Sequence, residues 1–318
     1  MHRPTGHRLR AVRLASVAVA LVTAAVLAGC RAEPSPSAAG ATDDAVTVAS
    51  FSFPESALLA ELYAQALVAA GVPVRRERDL GPRELVLPAL RQGLVDVVPE
   101  YLGTALASVA PDAAVAHRDA AAVRRALDRS LRRWGLMTLR PAAAASQNGL
   151  VVTTETSRRL GLTEVSDLQR TAPTLTLGMT PECPTREYCL VGLERTYGLE
   201  FGGTVPFETE TQRAEALRQQ VVDVALMFTT DGQLATGDLV LLRDDRALQP
   251  AENVVPVVTS RAVDRYGARL VRTLERVSEQ LTTQHLVFLN WRVEVAGKPL
   301  AGEARGWLRR HGVLTSAR

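Results

Sequence analysis

The stretch ALRQGLVDVVPEYLGTAL, Ala89 to Leu106, returns as ALRQQVVDVALMFTTDGQL, Ala216 to Leu234, 127 residues later (216 − 89). Seven of the first nine positions are identical, and the two that differ set Gly93 against Gln220 and Leu94 against Val221. Each copy begins with an amphipathic helical pattern, passes a short apolar run of strand type, and ends in a loop at the strand's carboxyl end. A matching unit precedes each. AVTVASFSFPESALLAELYAQALVAAG predicts a strand, a capping box from Ser52 to Glu55, and a helix ending at Gly71. TLTLGMTPECPTREYCLVGLERTYG predicts a strand, Thr180 ahead of Pro181 as a helix start, and a helix ending at Gly198. Each half therefore reads strand, helix, strand, helix, strand. That alternation means an α/β chain with two lobes, each a mostly parallel sheet flanked by helices.

Two apolar strands supply the connections. NGLVVTT, Asn148 to Thr154, leaves the first lobe, and NVVPVVTS, Asn253 to Ser260, returns to it. The expected division is 46–148 plus 258–318 for lobe 1 and 149–257 for lobe 2, joined by a two-crossing hinge. Ligands of open parallel sheets sit beyond the carboxyl ends of the strands, so both copies of the repeat aim their loops into the cleft between lobes. Tyr101 and Phe228 fall at equivalent positions on the two jaws.

The N-terminus carries Arg3, Arg8, Arg10 and Arg13, then an apolar run too short to favour a permanent span, then LAGC ending at Cys30. Residues 1–29 read as an export signal, and LAGC resembles the lipobox of bacterial lipoproteins, which implies a lipid on Cys30 and a chain anchored to the outer face of the cytoplasmic membrane. Without that signal, 33 basic and 34 acidic residues remain, from totals of 37 and 34, so the basic isoelectric point belongs to the leader and no nucleic-acid partner is expected. RAEPSPSAAGATDDA, within 30–45, is too poor in large apolar residues to fold and reads as a tether. Cys183 and Cys189 are expected to form a disulfide in an oxidising compartment, with free thiols as the alternative. His117, His285 and His311 are too scattered for a metal site, so neither metal nor cofactor is expected.

Aromatics are only 4 % of the chain, yet Phe51, Phe53, Tyr101 and Phe228 fall at predicted strand exits. Glu55, Glu100 and Asp231 accompany them, and Thr229 follows Phe228 directly. Aromatic faces near carboxylates suit a weakly hydrated cation, because the ring quadrupole attracts it. The competing reading makes the aromatics packing residues and the carboxylates helix caps or solvated charges. Glu55 reads as a capping residue.

FSFPESALLAELYAQAL, VVPEYLGTAL, MFTTDGQLA, PVVTSRAVDRYG and LVFLNWRVEVAGKPL together resemble the osmoprotectant substrate-binding proteins of ABC transporters, the glycine betaine and choline type called OpuAC-like. The resemblance runs from about Val46 to the C-terminus. It implies a type II periplasmic-binding-protein fold, a small-molecule solute as ligand, and a permease with a separate ATPase as partners; the chain is expected to act as a monomer. Betaine-binding members build a box of tyrosines round the ammonium; here Tyr101 matches one of them, and half the box is missing or rebuilt with polar groups. Where others are found, the chain has Gln147 and Asn148, and Glu252 and Asn253, which are candidates for hydrogen bonds to a less methylated cation, an amino acid or another zwitterion. A secreted hydrolase is the enzymatic alternative, but neither a GxSxG elbow nor an HExxH motif is present. A membrane sensor would need a spanning helix, and no apolar run after Cys30 is long enough.

Overall fold

A computed structural model describes residues 44–113 and 117–314. The export signal, Cys30 and the tether as far as Asp43 lie outside the described residues. The first part of the chain runs β1 (Val46–Ala49), α1 (Pro54–Ala69), β2 (Val74–Glu77), α2 (Arg83–Arg91), β3 (Val97–Tyr101), α3 (Leu102–Val109), α4 (Ala120–Arg132) and β4 (Leu136–Thr138). It continues through β5 (Asn148–Thr153), α5 (Thr154–Leu160), β6 (Thr176–Met179), α6 (Leu190–Tyr197), β7 (Gly203–Pro206), α7 (Glu210–Arg218), β8 (Val224–Phe228) and β9 (Leu239–Leu241). It closes with β10 (Val254–Thr259), α8 (Ser260–Gln280), α9 (Thr283–Asn290), a π-helical turn (Trp291–Val295) and α10 (Leu300–Arg310).

The strands form two five-stranded sheets of the same plan, β2-β1-β3-β10-β4 and β7-β6-β8-β5-β9. In each, one hinge strand runs antiparallel beside the repeat's strand: β10 against β3, and β5 against β8. This is the two-lobed, mixed α/β architecture that the alternation predicts. The hinge strands pair farther than the expected boundaries allow. Residues 254–257, assigned to the second lobe from sequence, run in the first sheet, and Asn148, assigned to the first, faces Phe228 in the second. A strand crossing between lobes satisfies its backbone groups by joining the nearest ladder, so pairing rather than composition sets the border.

The repeat has a physical cause in each lobe. Asp96 accepts the Thr47 backbone N–H on Oδ2 at 3.0 Å while its own N–H donates to the Thr47 carbonyl at 2.8 Å. Asp223 does the same with Thr176, at 2.9 Å and 2.9 Å. This clamp locks the entry of the third strand beside the first. The helix before it ends the same way in both lobes. Leu94 N–H reaches the Ala89 carbonyl and Val221 N–H the Ala216 carbonyl, each 2.9 Å, with Gly93 at φ 69° and Gln220 at φ 58°. That is a Schellman turn, whose left-handed residue costs glycine nothing and glutamine something.

Two readings at helix starts are corrected. The cap of α1 is Phe53, without a side-chain hydrogen bond, so Ser52 and Glu55 form no capping box. Instead, the Ser56 hydroxyl accepts the Phe51 N–H at 2.9 Å, and Glu55 turns to distant partners. No helix starts at Pro181: Cys183 and Cys189 are joined by a disulfide, with Cα atoms 5.3 Å apart, and α6 begins only at Leu190. Within the closed loop the chain makes only a 3₁₀ turn over Cys183–Thr185 before α6. Both sulfurs are buried in the second lobe's core, beside Tyr197 and Leu193. Helix α1 is buried along most of its length between the first sheet and helices α8 and α10, so its apolar residues run round it rather than in one stripe, and its buried Glu61 is paired with Arg76 and Arg78. No helix among the described residues is long and apolar enough to cross a membrane.

Candidate ligand-binding site

The carboxyl ends of β1 and β3 bring one group of predicted residues together. Phe51 and Phe53 stack with nearly parallel rings, centroids 5.8 Å apart, and Phe53 lies 6.2 Å from the Tyr101 ring. Phe51 is buried, whereas Phe53 is 40 % exposed and presents a free aromatic face. Arg83, at the start of α2, covers the Phe51 ring at 5.1 Å and grips Glu100 with two prongs, Nε to Oε1 at 3.0 Å and Nη2 to Oε2 at 2.8 Å. Glu100 is thus neutralised within its own lobe. Arg83 went unnoticed in the sequence, where one arginine among many gives no signal.

Tyr101 is 8 % exposed and belongs to the first lobe's core, as the packing reading has it. Its hydroxyl nevertheless donates to Glu55 Oε1 at 2.6 Å. Burial above all, and then the adjoining Glu55 carboxylate, hold the phenol well above its ordinary range, so it remains an O–H donor at physiological pH. The other oxygen of Glu55 accepts from Asn290 Nδ2 at 2.7 Å, and that same amide nitrogen donates to the Thr230 carbonyl at 2.9 Å. One buried chain of hydrogen bonds therefore ties β3, α1 and α9 of the first lobe to the loop after β8. Asp231, next in that loop, caps a 3₁₀ turn over Gly232–Thr236 by accepting the Gln233 N–H on Oδ1 at 2.8 Å. Burial pushes its carboxyl up to about 6; Glu210 and Glu55 push the same way, against the Gln233 N–H and Arg213. The capping alternative for Asp231 is accordingly what its Oδ1 does.

A second group lies along the hinge, and its polar atoms are taken up by the backbone. Gln147 Nε2 donates to the Pro250 carbonyl at 2.6 Å, Asn148 Nδ2 to the Tyr188 carbonyl at 3.1 Å, and Asn253 Nδ2 to the Ala142 carbonyl at 2.9 Å. Thr229 receives the Gln147 N–H on its hydroxyl at 3.0 Å and donates it to the Ala145 carbonyl at 3.1 Å. The Gln147 and Asn253 contacts tie the two crossing segments to each other, while Asn148 and Thr229 bind the first crossing to the second lobe.

Glu252 caps α3 from outside the helix, accepting the Thr104 hydroxyl at 2.6 Å and the Thr104 N–H at 3.2 Å. A β-carbon on Gly103 would stand 2.9 Å from Glu252 Oε1 and 3.1 Å from the Ala251 carbonyl, so only glycine admits this approach. Burial pushes Glu252 up to about 6; Glu100 adds to that shift, and the Thr104 bonds and Arg83 oppose it.

Phe228 is 45 % exposed and touches no other aromatic ring among the described residues. The second lobe's aromatic near Glu252 is Tyr188, which sequence reasoning missed. Burial first, then the Glu187 and Glu252 carboxylates, raise its phenol. Its ring meets His117 edge to face at 6.3 Å, and its carbonyl accepts from Gln249 as well as Asn148. The available signal was its place beside Cys189, in a loop the disulfide stiffens. Among the described residues no group of three or more His, Cys, Asp or Glu is arranged to hold a metal ion.

Residues 44–310 match the family model described as the substrate-binding domain of the ABC-type glycine betaine transport system. A glycine-betaine-binding protein of Pseudomonas aeruginosa is 28 % identical over 272 residues, covering 82 % of this chain and 86 % of that one. The glycine betaine-binding protein YehZ of Escherichia coli K12 is 27 % identical over 268 residues, 81 % and 88 % of the two chains. A solved structure described as a glycine betaine/carnitine/choline ABC transporter superposes with a TM-score of 0.77 at 24 % identity, over 85 % of this chain and 100 % of that one, and its fold is the type II periplasmic-binding-protein architecture.

Proposed function

The chain belongs to the family of substrate-binding domains of ABC-type glycine betaine transport systems, and from that premise we propose that its cleft captures a small cationic or zwitterionic solute of osmoprotectant type. Membership makes it an extracytoplasmic binding component of an importer, working with a permease and an ATPase, and not an enzyme; the hydrolase reading is set aside. The observation that carries the proposed ligand class is the Tyr101–Glu55–Asn290–Thr230 chain at the junction of the lobes, with the exposed Phe53 ring on one side and the buried carboxyls of Glu252 and Asp231 beside it. An aromatic face supported by carboxylates attracts an organic cation. Phe228 and Tyr188 supply the second lobe's apolar surface in this reading. The protein acts as a monomer, held at the outer face of the cytoplasmic membrane by a lipid on Cys30.

Thermal-shift measurements and calorimetric titration with glycine betaine, choline and carnitine test the ligand class. Saturation at a hundredfold over Kd contributes about 2.7 kcal/mol and raises the midpoint by about 5–11 °C for a protein of this size. Phe53→Ala is expected to weaken the bound cation about fivefold. Response to neutral or anionic solutes alone refutes the proposal. For the anchor, Cys30→Ala should release the protein from the membrane fraction or leave its export signal uncleaved; equal membrane retention of both forms with the variant normally processed refutes it.

A further inference from the structure

The two lobes carry opposite charge. Residues 44–147 and 254–314, the first lobe, hold 22 Arg and Lys against 16 Asp and Glu, a balance of +6, whereas residues 148–253 hold 9 against 16, a balance of −7. A chain that is nearly neutral after its leader is therefore an electric dipole, basic in the lobe that the tether enters.

Within that lobe the strands define two ends. β1 and β3 run parallel with Val48 beside Val97, and β10 runs antiparallel between β3 and β4, setting Val258 beside both Val97 and Met137. The segments that lead into β1, β3 and β4 and out of β10 therefore share one end of the sheet, opposite the carboxyl ends that hold the candidate site. Trp134, half-buried, stands there between two guanidiniums, Arg91 at 4.3 Å and Arg133 at 4.2 Å from its ring centroid. Both arginines are exposed; Arg133 donates to the Val109 carbonyl at 3.3 Å, and neither is in an ion pair among the described residues. Leu94, 66 % exposed, lies at the same end.

Most of the acids at this end are already matched. Arg261 holds Asp96 at 2.8 Å, Arg132 holds Asp128 at 2.7 Å, and Arg265 lies 3.6 Å from Asp44, leaving Asp264 exposed. The Asp44 contact also shows that the tether joins the fold at this end. From Asp44 back to Cys30 is 14 residues (44 − 30), a reach of at most about 50 Å.

An indole flanked by guanidiniums, with an exposed leucine at the same end, suits the headgroup region of a bilayer, where aromatic rings sit at the interface and guanidiniums pair with phosphates. Resting on the membrane placement proposed above, we infer that this end of the first lobe is a membrane-facing surface that binds anionic phospholipid headgroups, with Arg91 and Arg133 as its principal phosphate contacts. The acidic second lobe is repelled by the same surface. The carboxyl ends of the strands, and the candidate site with them, are then turned away from the bilayer towards the solute.

Both sheets lie within residues 44–314, so the mature chain without its leader keeps the whole fold. That chain, begun at Arg31 and carrying no lipid, is sedimented with vesicles of phosphatidylcholine alone or with about 30 mol % phosphatidylglycerol, a measurement that does not depend on the anchor at Cys30. In about 50 mM salt the anionic vesicles should take it up at least about tenfold more strongly than the neutral ones, and about 0.5 M salt should erase the difference. Arg91→Gln with Arg133→Gln should weaken uptake at least about fivefold, whereas Arg158→Gln with Arg159→Gln, exposed on α5 of the second lobe, should change it less than about twofold. Equal uptake by both kinds of vesicle, or an equal loss from the two variant pairs, overturns the inference and leaves both the solute-binding function and the lipid anchor intact. Should the Arg91 and Arg133 pair fail to fold, hydrogen exchange of the wild-type mature chain decides. Slowed exchange on anionic vesicles at 91–95 and 132–136 upholds the surface; slowing that is absent or confined to the second lobe overturns it.

Discussion

Replacing Tyr101 by phenylalanine removes one oxygen from the middle of the inter-lobe network and leaves the ring in place. The ring is nearly buried, so packing is conserved and the loss is that of the hydroxyl. That hydroxyl is 2.6 Å from Glu55 Oε1, whose other oxygen has Asn290 Nδ2 as its donor. A buried hydrogen bond to a charged acceptor contributes about 1.5–3 kcal/mol, and its removal leaves a carboxylate oxygen without a donor, which places the expected cost near 2 kcal/mol. At about 2–4 °C per kcal/mol for chains of this size, the ligand-free midpoint should fall by about 4–8 °C. Urea denaturation of Tyr101→Phe, Glu55→Gln and the double variant closes a cycle whose coupling energy should exceed about 1 kcal/mol, since contacting residues couple and distant ones do not. A Tyr101→Phe loss below about 0.5 kcal/mol, or additive single losses, would show that Glu55 draws its donor from solvent. The inter-lobe network would then not exist in the form described.

Reduction, or Cys183→Ser with Cys189→Ser, should destabilise the protein by about 2 kcal/mol on the chain-entropy account of a loop this short; an unchanged urea midpoint refutes it. Affinity for a cationic ligand should rise as pH climbs from about 5 to 7.5 and then level off. Asp231 and Glu252, each pushed up to about 6, hold protons in the free protein that a cation displaces; titrations in buffers of different ionisation enthalpy should detect the release. The sign for stability is opposite. Raised carboxyl pKa values make the native state hold more protons than the unfolded one, so these two groups withdraw stability from the ligand-free protein as pH rises through 4 to 6. Gln220→Gly should stabilise by about 0.5–1 kcal/mol in urea, because a side chain now occupies a left-handed position; destabilisation would mean that the glutamine side chain earns its place through contacts.

The lobes were legible in the sequence because what builds them is local or repeats at fixed spacing. The Schellman turns and the apolar third strands lie inside the duplicated stretch, and the duplication announces them; each aspartate clamp instead reaches back 49 or 47 residues, to Thr47 or Thr176 outside it. Glu55 shows where that legibility stops. Its spacing from Ser52 fits a capping box, but its partners are 46 and 235 residues away, and no local pattern encodes them. Gln147, Asn148 and Asn253 were readable as polar residues at the hinge, yet a side-chain amide serves a backbone carbonyl as readily as a ligand. Only the fold shows which carbonyls lie in reach. Arg83 and Tyr188 escaped for the converse reason. Each is chemically ordinary in its own segment and becomes part of the site only when the folded chain brings Glu100 and Glu252 to it.

The placement of the hinge strands also fixes an order of events for a chain that emerges from its amino end. All five strands of the second sheet fall between Asn148 and Leu241, whereas the first sheet, begun at Val46, still lacks an interior strand until Val254–Thr259 arrives. The lobe that appears first can only be finished last. Its β3 edge, apolar and unpaired, stays open for more than a hundred residues of synthesis, and in an exported protein that interval is spent wherever the emerging chain is held. A carrier that shields such an edge until residue 259 has passed would raise the folded yield of this chain more than one that acts only on the second half.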